Sequence, residues 1–88
     1  MDEIFSIDLY VIFDGTQTKI LIGTLALLSS IKEAKEDCVE LLDYLDEQFI
    51  NKKVFFNRDE MWSIDFSKVA LYTVKIQKKE SKNVTDSL

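Results

Sequence analysis

The chain contains no histidine, no proline, two glycines and one cysteine in 88 residues. Each scarcity excludes something. Without histidine the commonest general base and metal ligand is missing. A single cysteine, Cys38, closes no disulfide within the chain, so the pattern is not that of a cross-linked secreted mini-protein. Gly15 and Gly23 form no glycine-rich loop ahead of a helix, which argues against a phosphate cradle. No apolar run reaches the roughly 18 residues of a membrane helix. The opening Met-Asp-Glu-Ile-Phe lacks the basic-then-apolar order of a secretory leader. Together with the lone thiol, this gives the expectation of a cytoplasmic protein with no membrane partner.

What is present suits a folded domain. The chain is 47% hydrophobic and carries ten aromatic residues, so it is not expected to be disordered. Its length suits one domain, which buries only about 60% of the surface its unfolded chain exposes. With no disulfide or zinc site, stability must come from a dense core or a second subunit.

The charge is −5, from 16 acids against 11 bases, which argues against direct nucleic-acid binding. The bias is local. Residues 30–50 hold seven acids and two lysines, a balance equal to that of the whole chain.

Residues 3–14 alternate: Phe5, Ile7, Leu9, Val11 and Phe13 share one parity, and Ser6, Asp8, Tyr10 and Ile12 the other. Period two predicts a strand, and Asp14-Gly15 a turn into a hairpin partner over 19–27. That partner is apolar on both parities. A helix from Thr24 is the competing reading, because leucine and alanine favour helices. The capping box Ser30-Ile31-Lys32-Glu33 decides for a later start. From there the spacing predicts a helix to about residue 51, its core stripe being Ile31, Ala34, Cys38, Leu41, Leu42, Leu45 and Phe49. Lysines in its first turn and acids in its last oppose the helix dipole, so packing must stabilise it. Strands follow over 54–56, 61–66 and 69–77, separated by the polar turn Asn57-Arg58-Asp59-Glu60 and by Ser67-Lys68.

The order β-β-α-β-β-β predicts an α+β two-layer sandwich: an antiparallel sheet of about five strands with one amphipathic helix on one face. The domain is expected to span 1–77, with 78–88 a disordered tail. One helix covers one face only. The parity count leaves the other face apolar through Tyr10, Ile12, Val69 and Leu71, an unusually large patch for a monomer. These four residues are therefore the expected homodimer interface.

The chemistry-bearing residues read as follows. Cys38 falls on the apolar stripe of the helix and reads as a small, inert core residue. Asp2-Glu3 and Asp59-Glu60 are adjacent pairs without the spacing of a calcium loop, so neither metal nor cofactor is expected. The helix carboxylates face water, not a cleft, which does not suit acid–base catalysis. Trp62 reads as core filling. No catalytic constellation assembles, and the expectation is a non-enzymatic protein.

The acidic helix has a second reading besides solubility. Its carboxylates lie along about 30 Å of helix and imitate a row of phosphates. Tyr44 falls among them as an exposed aromatic, which suits an interface anchor. Glu36, Glu40, Asp43, Tyr44 and Glu47 are thus the candidate partner-binding residues, and a host protein the candidate partner. Residues with AT-rich codons (Phe, Tyr, Met, Ile, Asn, Lys) number 33, against 6 for Gly, Ala, Arg and Pro. In size, acidity and codon bias the chain resembles small accessory proteins of phages and mobile elements in low-GC Gram-positive bacteria. That resemblance implies an interaction protein or inhibitor acting on a host macromolecule. The alternative is a small-molecule binding or sequestering protein with a pocket at a subunit interface.

Overall fold

The computed structural model of the chain describes residues 3–80. Five strands and one helix follow in the order β1 (Glu3–Phe13), β2 (Ile20–Leu28), α1 (Ile31–Ile50), β3 (Val54–Asn57), β4 (Trp62–Asp65) and β5 (Val69–Glu80). A short 3-10 turn, Phe66–Lys68, joins β4 to β5. The fold is α+β, with α1 packed on one face of an antiparallel sheet. The strands divide into a three-stranded sheet, ordered β2-β1-β5, and a separate β3–β4 hairpin. β5 reaches Glu80, so residues 78–80 belong to the sheet and not to a tail. The rest of the expected tail, 81–88, lies outside the described residues.

β1 is the central strand, and its alternation explains its place. Ile7, Leu9 and Val11 point toward the helix and are fully buried. Fully burying side chains of this kind stabilises a fold by about 1.5–3 kcal/mol each. Around Leu9 and Val11 gather Leu45, Ile64, Phe66 and Val69. Three aromatic rings close this cluster: Phe66 meets Phe49 and Tyr72 edge-on, with centroids 6.1 and 5.7 Å apart.

α1 begins where the capping box predicts. The Ser30 hydroxyl accepts from the Glu33 amide at 3.1 Å, while the return bond from Glu33 does not form among the described residues. Of the expected stripe, Ala34 and Leu45 are buried and Cys38, Leu41, Leu42 and Phe49 half-buried. Ile31 stays 43% exposed, and Gln48 takes a buried position. The helix ends in a paired closure: Lys52 N–H donates to the Phe49 carbonyl (3.2 Å) and Lys53 N–H to that of Gln48 (2.9 Å). This motif requires a left-handed residue, usually glycine, and here Lys52 supplies it with φ of 56°.

The β3–β4 hairpin packs its Phe55–Ile64 face inward and latches onto β2. The Asn57 carboxamide joins its own turn to its neighbour strand. Its oxygen accepts from the Asp59 and Glu60 amides, and its nitrogen donates to the Thr24 carbonyl at 3.1 Å. Trp62, a core-filling residue as its sequence context suggests, packs against Phe55 and fits over Gly23.

Three register shifts change the surface expected from parity. β2 shifts twice against β1, at Ile7/Asp8 and at Leu9/Tyr10, and the extra residues are Leu25 and Ile22. Both pack against the core. Apolar residues on two parities of β2 therefore serve mainly one face, because each bulge resets the phase. A third shift, at Ile12/Phe13, leaves Ala70 unmatched and pairs Phe13 with Val69. Val69 is consequently 4% exposed in the core, and Leu71 is 58% exposed on the opposite face. Val69 thus leaves the expected dimer surface.

Candidate functional site

Two surfaces of opposite character result. The first is the outer face of α1. Glu36, Glu40, Asp43, Tyr44 and Glu47 are all exposed, and helical periodicity gathers them within about 100° of arc opposite the core. The fold brings all five together as their spacing predicts. Among the described residues the only ion pair is Lys78 with Glu3 at 3.0 Å, so none of these acids is held in an ion pair. Tyr44 is 48% exposed and held by an edge-on contact with Phe55, centroids 5.9 Å apart. The hairpin therefore positions this ring beside the carboxylates.

The second surface is the sheet face away from α1. Its middle is polar, contrary to the parity count. Asp8 is 2% exposed, and both its oxygens are used. Oδ1 accepts from the Thr24 hydroxyl at 2.8 Å, and Oδ2 accepts from the Gln77 carboxamide at 2.9 Å. The same Gln77 nitrogen donates to the Tyr10 hydroxyl at 2.7 Å. The ammonium groups of Lys19 and Lys75 lie 5.8 and 5.6 Å from the centre of the Tyr10 ring, within cation–π range. Beside Asp8, the Ser6 hydroxyl is fully buried and has no hydrogen-bond partner among the described residues.

Aliphatic residues occupy the two ends of this face. Leu27 pairs with Ser6 near Ile4, while Leu21 and Leu71 flank Tyr10 and Ile12. Of the four expected interface residues, Tyr10 and Ile12 are half-buried, Leu71 is exposed and Val69 is in the core. Tyr10 is committed to Gln77 and two lysines, so it belongs to a polar track and not to an apolar patch. The sequence reasoning missed Asp8, Thr24 and Gln77. One signal was available: a carboxylate at the centre of the strongest apolar strand requires partners on both neighbouring strands.

Three titratable groups away from these surfaces are shifted by their surroundings. Burial raises the Cys38 thiol above its ordinary value, which keeps it protonated and unreactive. The Tyr72 phenol is also raised, first by burial and then by donation to the Asp46 carboxylate. Asp65 is lowered because the Ser67 hydroxyl and amide both donate to it. Shallow concavities of about 200 Å³ (Thr24–Leu27 with Asp59 and Glu60), 150 Å³ (around Ile12 and Leu71) and 260 Å³ (around Ile4 and Leu27) border the sheet. All are smaller than the roughly 300–1,000 Å³ of ordinary ligand pockets. No described helix is long and apolar enough to cross a membrane. Compared with protein-family models, curated proteins and solved structures, the chain matches none.

Proposed function

We propose that the protein is a non-enzymatic interaction module, a homodimer that engages a basic macromolecular partner through the outer face of α1. The observation that carries this reading is the unpaired acidic face itself. Four carboxylates and Tyr44 share one exposed side of the helix, and none of the four is in an ion pair among the described residues. Such a surface favours a cationic groove, steering it at long range and anchoring it through the aromatic ring. The row of carboxylates imitates a phosphate backbone, so a nucleic-acid-binding protein is the natural class of partner. The acidity and codon bias extend the reading to an inhibitor or accessory protein of a phage or mobile element, working in the host cytoplasm.

The test compares the native chain with Glu40→Lys/Glu47→Lys as tagged baits in extract of the source cell. The expected result is a captured protein that duplex DNA displaces and that the double variant fails to hold. Equal capture by a folded variant would overturn the assignment.

A further inference from the structure

β5 forms one border of the three-stranded sheet, and its other side bonds to nothing among the described residues. It is twelve residues long, with no proline and no glycine. The burial pattern marks both outer strands, β2 and β5, as borders. On β1, Ile7, Leu9 and Val11 are fully buried, yet the residues paired with them on β5, Ile76, Val74 and Tyr72, remain partly exposed. The helix lies over β1 and β5 alike, reaching β5 through Tyr72, and beyond β5 no further strand follows among the described residues. The free amides and carbonyls of such an edge accept another strand, and the exposed Lys75, Lys78 and Lys79 guard it against any register that sets them together.

We infer that this edge pairs with the same edge of a second copy, antiparallel about a two-fold axis at Val74, so that two sheets join into one of six strands. The inference deepens the self-association in the proposed function by naming its surface, and it needs nothing from the acidic face. The sequence of β5 selects the register. Opposed residues must lie on the same sheet face, so the axis passes through a residue and not between two, and near the middle of β5 the choices are Thr73, Val74, Lys75 and Ile76. An axis at Lys75 sets two ammonium groups against each other. An axis at Thr73 or at Ile76 shortens the paired run. An axis at Val74 pairs Tyr72 with Ile76 of the second copy, an aromatic with a β-branched side chain. It also sets Lys75 opposite the second copy's Thr73, and Lys78 opposite the second copy's Ala70, so no lysine faces a lysine.

The helix agrees in charge. Tyr72 contacts Leu42 and Asp46, which turns that side of α1 toward β5. Lys35, Val39, Leu42 and Asp46 follow one another along this side at helical spacing, and Val39 is 61% exposed. The two-fold axis runs the two helices in opposite directions, bringing Lys35 of each copy toward Asp46 of the other and Val39 toward Leu42. The acidic faces stay outward on both copies. Main-chain bonding along the shared edge would supply about ten hydrogen bonds, the usual source of affinity in strand addition.

Sedimentation of the full chain, of Thr73→Lys and of Thr73→Lys/Lys75→Glu tests the inference, with circular dichroism to verify folding. The native chain is expected at twice the chain mass. Thr73→Lys creates two symmetric lysine–lysine oppositions and is expected to weaken the dimer about tenfold. Adding Lys75→Glu turns each opposition into an ion pair and is expected to restore it. A monomeric native chain would remove both the dimer and its surface. A native dimer that ignores both variants would retain self-association and overturn the β5 edge alone. Loss on Thr73→Lys without recovery in the folded double variant would also overturn it.

Discussion

The indole of Trp62 occupies the space that a side chain at position 23 would need. A Cβ built on Gly23 falls 2.6 Å from Cε2 and 2.9 Å from Cζ2 of that ring. Glycine is required there for close approach and not for an unusual backbone angle. The contact is where the small hairpin joins the main sheet. Gly23→Ala must therefore push the ring out, and overpacking of this kind costs about 1–3 kcal/mol. Chemical denaturation followed by the fluorescence of this single tryptophan would reveal the loss, with a native-state emission already shifted to the red.

Asn57 holds the same joint by hydrogen bonds. It is 7% exposed, and its one side chain serves three backbone groups. Asn57→Ala would strand the Thr24 carbonyl and two turn amides, and is expected to destabilise by about 2–3 kcal/mol. Hydrogen exchange should accelerate first in the 57–62 turn and at Thr24, ahead of global unfolding.

Among the described residues, two that are not glycine sit at positive φ: Lys52 at 56° and Met61 at 60°. Side chains pay for that conformation, and glycine does not. Both residues are exposed, so their replacement removes little packing. Lys52→Gly and Met61→Gly are each expected to raise stability by up to about 1 kcal/mol, read as a higher denaturation midpoint at unchanged slope.

Tyr72 contributes a pH-dependent share of the stability in alkali. Its phenol holds its proton more tightly in the folded chain than in the unfolded one, through burial and the Asp46 acceptor. The sign follows from proton linkage. The stabilisation is complete below the unfolded tyrosine value of about 10 and is lost as pH rises from there through the folded value. Tyr72→Phe has no proton to lose, so its denaturation midpoint should fall less steeply above about pH 10 than that of the native chain. Parallel curves would refute the attribution.

The legibility of the sequence followed the range of the interactions. Ser30 and Glu33 marked the start of α1 because a cap is settled within one turn, and the acidic face was visible because helical spacing is local. Trp62 and Cys38 were likewise placed by their immediate surroundings. The sheet's second face was misread for a long-range reason. Whether Ile22, Leu25 and Ala70 count in the alternation depends on how β1 pairs with two other strands, and each bulge reverses the parity beyond it. Val69 was displaced from Leu71 by one such shift. Asp8 finds Gln77 across 69 residues of sequence, a pairing no local pattern announces.

The division of charge between the layers gives the molecule an electrical polarity. Carboxylates crowd the solvent side of α1, while Lys19, Lys75 and Lys79 stand on the far side of the sheet. In the field of a charged neighbour such a body experiences a torque as well as a net force. It rotates during approach, before any contact forms, and meets cationic and anionic surfaces with opposite sides. Salt shortens the distance over which this alignment operates, to about 8 Å at physiological ionic strength.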